Sequence, residues 1–311
     1  MIQLFQQKTY DREEITSIFR QIFAEEGDAR QTLDGKKRIL LKPNFVVPEP
    51  KGDGATTHPD FYMSLATFLQ SEGFVVGIGE SPAFGSCRKA LQFHGVLKEC
   101  EAKKIEIVEF KKNEVYEGVI DGGRYSELTI AAEIQDWDAV INLPKLKVHQ
   151  QFMFTGATKN LYGCVTGKRK FIRHNFCKND PVKFAAMVLA NATKANCVLH
   201  IGDGIEAMHV KGPRGGECYP LGKIIVADDF LVHDWLMTHL IDLSPETTPL
   251  FQAVSAATRE NLQNECQEIF NSAEFSVAEN FKQSYAVDVS FSPWHLLRTA
   301  WRSFRFNMKN S

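Results

Sequence analysis

The 311-residue chain is long enough for one large α/β domain or two modest ones. Its 44% hydrophobic and 24% charged content argues for a packed core and against a disordered or fibrous chain. A formal net charge of −2 gives no global reason to expect nucleic acid or a membrane surface, so either partner would need a local patch.

In chain order, Ile15, Ile18, Phe19, Ile22 and Phe23 recur at helical spacing with acids near the start. Ile39–Leu41 reads as a short buried strand ending at Lys42-Pro43-Asn44. Phe61, Leu65, Phe68 and Leu69 mark a helix that stops at Gly73. FVVGIGE is a strand closed by SPAFGS, CRKALQFHGVLKECEAKK one helix, and IEIVEF a strand. Ala139 to Leu143 is a strand, NDPVKFAAMVLANATKAN a helix, CVLHIGDG a strand, GKIIVADD a strand and FLVHDWLMTHLI a helix.

Alternating α and β with short apolar strands predicts an α/β fold: a mainly parallel sheet with helices on both faces. Ligands of such sheets sit beyond the carboxyl ends of the strands. KPN, GESP, NLPKLKVH, GDGIEAM and ADD each follow a strand, so all are expected at one edge. The α/β unit is assigned to residues 1–245 and a helical C-terminal extension to 246–311. Within the extension, Trp294, Leu297, Trp301 and Phe304 share helical spacing beside Arg298, Arg302 and Arg305. That pattern suits a helix docked on its own domain, or a basic amphipathic contact with a membrane or partner through residues 290–311.

The N-terminus has no basic stretch followed by an apolar run, and no segment reaches the ~18 apolar residues of a membrane span. The cytoplasm is the expected compartment. Seven Cys, none spaced C-x-x-C, fit reduced buried thiols and give no four-cysteine iron–sulfur motif. Cys164 and Cys177 are notable for flanking a basic segment.

That segment, Asn142 to His174, holds Lys145, Lys147, Lys159, Lys168, Arg169, Lys170 and Arg173, and no Asp or Glu. Unpaired cations at a strand-end crevice point to a phosphate or carboxylate ligand; the alternative is a solvated loop paired with acids from elsewhere. Lys145 and Lys147 are read as projecting from a loop after Pro144. Thr155 and Gly156 are read as a helix start whose N–H groups could face an anion, with Lys159 and Asn160 one turn in. Lys42 and Asn44 join them from the first strand end. His149 is the candidate for proton transfer, and His174 with His58 for a transition metal. Gly202 and Gly204 are read as permitting a tight turn, with Asp203 and Glu206 balancing the lysines. No G-x-G-x-x-G, P-loop or G-x-S-x-G pattern is present.

Taken together, LKPN, TTHPD, GESPAFGS, DAVINLPKLKVH…TGATKNLYGCVTGKRK, GDGIEAM…GP and DD…HD resemble the DUF362 family over about residues 38 to 243. That family is named for its unknown function and is often described as iron–sulfur or oxidoreductase-related. Many members append a ferredoxin-like module, which this chain lacks. The order of a His, TGATKN, Gly and a later His is also distantly similar to the lactate racemase family, whose cofactor is a nickel-pincer nucleotide. That similarity implies an acid/base role for His149, covalent cofactor attachment at Lys159 and metal ligation by His174. Where that family has Gly-Gly before the Lys, this chain has Ala-Thr.

Two readings stay open. One is an enzyme, an isomerase or oxidoreductase, that binds an anionic small molecule or nucleotide-like cofactor. The other is a non-catalytic protein that holds or delivers such a molecule. A third, single-stranded nucleic acid stacked on Phe152, Phe154, Tyr162 and Phe171, is disfavoured by the net charge, so nucleic acid is not the expected partner.

Overall fold

The computed structural model describes residues 1–46, 54–83, 85–120, 125–167, 170, 177 and 180–284. Lys168, Arg169, Phe171, His174 and the 290–311 segment lie outside the described residues.

The strands are β1 (Ile2–Gln6), β2 (Arg38–Pro43), β3 (Val75–Glu80), β4 (Glu106–Glu109), β5 (Asn113–Ile120), β6 (Tyr125–Ala131), β7 (Ala139–Leu143), β8 (Lys145–His149), β9 (Met153–Thr155), β10 (Cys197–His209), β11 (Glu217–Tyr219) and β12 (Lys223–Ala227). The helices are α1 (Arg12–Ile22), α2 (Asp28–Gln31), α3 (Pro59–Ser71), α4 (Cys87–Phe93), α5 (Leu97–Ala102), α6 (Ala157–Leu161), α7 (Pro181–Ala192), α8 (Phe230–Leu240), α9 (Pro249–Gln252), α10 (Ala256–Glu265) and α11 (Gln267–Phe270).

The central sheet runs β1-β12-β10-β7-β2-β3-β4. The five strands from β10 to β4 are parallel, while β12 and β1 are antiparallel. Alternation along β2 explains the two helical layers. Ile39 and Leu41 pack into one core with Phe19 of α1 and Phe61 and Leu65 of α3. Leu40 faces the other way, against Val140, Trp137 and Leu161. A further core on that second side joins Phe184 of α7, Leu236 of α8 and Ile225 of β12. Leu250, Phe251 and Leu262, beyond residue 245, belong to the same cluster.

After β2 the chain moves outward through β3 and β4, then returns to the opposite side of β2 with β7. The loops after β2 and β7 therefore part company, and a crevice opens between them. Lys42 and Asn142 are register partners at that point.

Several details differ from the expectations. The long helix after SPAFGS is two short ones, broken at His94-Gly95, where Gly95 takes φ +77. The antiparallel pair β5–β6 is additional. Pro144 has no N–H and ends β7, but the chain resumes at once as β8, parallel to the far half of β10. Lys145 and Lys147 are thus strand residues, each 1% exposed, not loop cations. Gly202 and Gly204 lie inside β10 and make no turn. Because β12 is antiparallel, ADD leaves the sheet in the opposite sense to the other strand ends. Asp228 meets the N-terminal ammonium, and Asp229 caps α8.

Candidate functional site

The crevice is built around Lys42, which is fully buried at the end of β2. Its Nζ donates to Glu80 Oε1 at 2.8 Å, to Pro43 O at 3.1 Å and to Asn160 Oδ1 at 3.4 Å. A buried ammonium needs this full set of partners to offset desolvation. Gly163 closes over the pair: a Cβ there would lie 2.5 Å from Lys42 Nζ and 2.7 Å from Glu80 Oε1.

Asn160 ties α6 to the sheet. Its Nδ2 donates to Lys42 O at 3.2 Å and to Asn142 Oδ1 at 2.8 Å. Asn142 Nδ2 in turn meets Ala157 O and His200 Nδ1, each at 3.0 Å. His200 is held neutral, its pKa driven well below the ordinary value by burial and then by His233.

The start of α6 does face an anion, but it is the protein's own. Asp234 accepts from Ala157 N at 2.5 Å and Thr158 N at 3.0 Å. His233 Nδ1 meets the same carboxylate at 2.9 Å, while its buried Nε2 has no hydrogen-bond partner. Gly156 permits this approach, since a Cβ would stand 2.1 Å from Asp234 Oδ1.

The β8 lysines are also engaged within the chain. Lys145 Nζ donates to Asp203 Oδ2 at 3.0 Å and to Tyr10 OH at 2.6 Å. The Tyr10 hydroxyl donates to Asp203 Oδ1, and burial followed by that carboxylate keeps its pKa well above the usual range. Lys147 Nζ donates to Asn44 Oδ1 at 3.0 Å and to Ala55 O. Glu206 offers only its backbone N–H, to Tyr10 OH.

Above this floor lies a cleft of about 140 Å³ lined by Asn44, Glu80, Lys147, His149, Lys159 and Lys170, among others. Lys170 Nζ donates to Ser81 O at 2.5 Å. Among the described residues Lys159 Nζ has no hydrogen-bond or ion-pair partner; it lies 5.2 Å from the Tyr162 ring and 5.6 Å from Phe184. Aromatic faces favour a cation, but burial outweighs them. Burial, then the charges of Lys170 and Lys42, bring the Lys159 ammonium down to about 8, against an opposing pull from Glu80. Lys170 is likewise brought to about 8, chiefly by burial. Thr155 also lines the cleft, and its buried Oγ1 has no hydrogen-bond partner among the described residues. His149 Nδ1 accepts from Gln151 N at 3.1 Å and Phe152 N at 3.2 Å, which assigns its proton to Nε2.

His58 caps α3 through Nδ1 and stacks on Tyr10 at 3.7 Å. Among the described residues no group of three His, Cys, Asp or Glu could hold a metal ion. Cys164 is buried and its thiol is pushed up to about 12, so it is no nucleophile at neutral pH. Phe152 and Phe154 are fully buried in the second core. Among the described residues no helix is long and apolar enough to cross a membrane.

Residues that sequence reasoning did not single out are Glu80, Asn142, His200, His233 and Asp234. GESP carried a signal for Glu80 and HD for His233 and Asp234, as polar residues beside a strand end or on a helix that is otherwise apolar.

Residues 39–239 match the model of a domain of unknown function, DUF362. The chain belongs to the DUF362 family. It is 32% identical over 252 residues to the thylakoid-associated protein sll1697 of Synechocystis sp. (strain ATCC 27184 / PCC 6803 / Kazusa), covering 81% of this chain and 78% of that protein. Two solved structures show partial likeness. The lactate racemase apoprotein from Thermoanaerobacterium thermosaccharolyticum has a TM-score of 0.44 at 15% identity, over 64% of this chain and 49% of its own. A Thermotoga maritima protein has a TM-score of 0.45 at 12% identity, over 70% and 55%. This DUF362 chain thus spans about half the length of each of those two structures.

Proposed function

We propose that this DUF362 protein is an enzyme that binds a small carboxylate- or phosphate-bearing molecule in the cleft between the β2 and β7 ends. One observation carries the reading: among the described residues Lys42, Lys159 and Lys170 share one nearby carboxylate, Glu80, and Lys159 has no hydrogen-bond or ion-pair partner of its own. A desolvated ammonium without a counterion is unfavourable, and a bound anion would relieve it. The partnerless Thr155 Oγ1 supplies a hydroxyl to the same ligand. His149, carrying its proton on Nε2, is the proposed proton donor, and Lys147 with Asn44 the proposed orienting pair. Lys145 would act on the ligand only indirectly, by holding Asp203 and Tyr10 behind β8.

The test is calorimetric titration of the full chain with inorganic phosphate, pyrophosphate and lactate, beside Lys159→Met. Binding of at least one anion that the variant loses is the expected result. Equal binding by both proteins would overturn the assignment.

A second reading, a protein that holds or delivers its ligand at a membrane surface, is favoured by the thylakoid association in the name of the Synechocystis relative. Trp294, Trp301, Arg298 and Arg302 would make that contact. Co-sedimentation with anionic vesicles that is lost on truncation after residue 284 supports it. Identical behaviour of the two chains removes it.

A further inference from the structure

We infer that Lys159 is a nucleophilic amine that forms an imine with a small anionic aldehyde or ketone. The inference rests on the anion-binding reading above and narrows its ligand to carbonyl-bearing anions.

Three geometric facts carry it. Among the described residues the Lys159 Nζ makes no hydrogen bond or ion pair, so no carboxylate or carbonyl acceptor holds it as an ammonium. It sits beside the paired Tyr162 and Phe184 rings, at 5.2 and 5.6 Å, an apolar surface whose desolvation disfavours charge when no anion is near. And it lines the same cleft as two further cations, Lys147 and Lys170. An amine desolvated against apolar surface and flanked by other cations is the arrangement that makes lysine a nucleophile near neutral pH. Its ordinary value near 10.5, brought to about 8, agrees with that geometry.

The other cleft lysines are placed differently. Lys42 is locked on Glu80, Lys147 on Asn44 and Ala55, and Lys170 on Ser81. The division of labour follows: Lys170 and Lys147 hold the anionic group, and Lys159 meets the carbonyl.

The step balances without a co-reactant. The neutral Nζ attacks the carbonyl carbon and forms the C–N bond as the carbonyl π pair moves onto oxygen. The two amine protons and that oxygen then leave as water, and the C=N bond remains. Nothing is oxidised or reduced. His149 Nε2 lines the cleft and is the proposed relay: it gives its proton to the departing oxygen and takes one amine proton in return, so the count is unchanged.

The experiment treats the full chain at neutral pH with glyoxylate, a small anionic aldehyde, in the presence of cyanoborohydride. Adducts are located by peptide mass mapping, and anion binding is measured separately by calorimetry with inorganic phosphate. The expected result is one early adduct on Lys159, formed roughly tenfold or more faster than at any other lysine. Phosphate should suppress it, and Lys159→Arg should lack it. Phosphate binding with no preferential adduct at Lys159 overturns the imine inference and leaves the anion cleft standing. No phosphate or glyoxylate binding, with labelling spread over surface lysines, overturns both. Mapping on the wild-type chain decides the matter even if the Arg variant does not fold.

Discussion

The Asp234 carboxylate lies 2.5 Å from the backbone nitrogen of Ala157, at the first turn of the short helix that carries Lys159 and Asn160. A five-residue helix has little stability of its own, so what holds it must come from outside. Asp234 supplies two charge-assisted bonds at one end, and Asn160 pins the other to β2 and β7. The cleft geometry therefore depends on a residue that does not itself line the cleft.

Asp234→Ala removes the acceptor of two buried N–H groups and should cost about 2–4 kcal/mol. Denaturant unfolding measures this. Phosphate affinity should fall roughly tenfold or more in the same variant, because α6 loses its anchor. Wild-type affinity in a destabilised Asp234→Ala protein would show that α6 placement does not govern the site.

Glu80→Gln leaves Lys42 buried with only neutral acceptors and should destabilise by about 3–5 kcal/mol. Replacing both partners, as Lys42→Met with Glu80→Leu, should cost less than Glu80→Gln alone. A double-mutant cycle by chemical denaturation checks this; additive losses would mean the pair is not coupled.

Lys159 and Lys170 give a defined pH dependence. Their ammonium groups sit near 8 in the folded chain, below the ordinary 10.5, so burial penalises the charged form. Between those values the unfolded chain binds more protons than the folded one, so the stability of the ligand-free protein should rise as pH climbs through that window. Below about 8 the penalty is fully present, and Lys159→Met should melt a few degrees higher than wild type at pH 7. Thermal melts from pH 6 to 10 test both. A variant that melts lower than wild type at pH 7 would contradict the desolvated-cation account.

Much of the frame was legible because it rests on local rules. Ile39–Leu41, Ala139–Leu143 and Val75–Glu80 are apolar runs of strand length, and Gly73 ends α3 at φ +90. On the sequence alone β8 reads as a loop because Pro144 and two lysines look solvent-facing; the partners that bury them, Asp203 and Tyr10 for Lys145 and Asn44 and Ala55 for Lys147, are distant in sequence. The direction of β12 was not legible either, since an apolar run carries no information on whether its neighbour is parallel. Asp234 was hidden for the same kind of reason. On the sequence it is a polar break in an apolar helix, and only the fold brings α8 against Gly156.

The most direct test of the central claim is calorimetry of inorganic phosphate binding to the full chain at pH 8.5, wild type beside Lys159→Met, in two buffers of different ionisation enthalpy. At that pH phosphate is already the dianion while lysines poised near 8 are mostly neutral, so wild type should bind with net proton uptake as the anion restores their charge, and affinity should fall as pH rises further. Lys159→Met should bind at least roughly tenfold more weakly. Binding by the variant as tight as by wild type, with no proton taken up, would contradict the account.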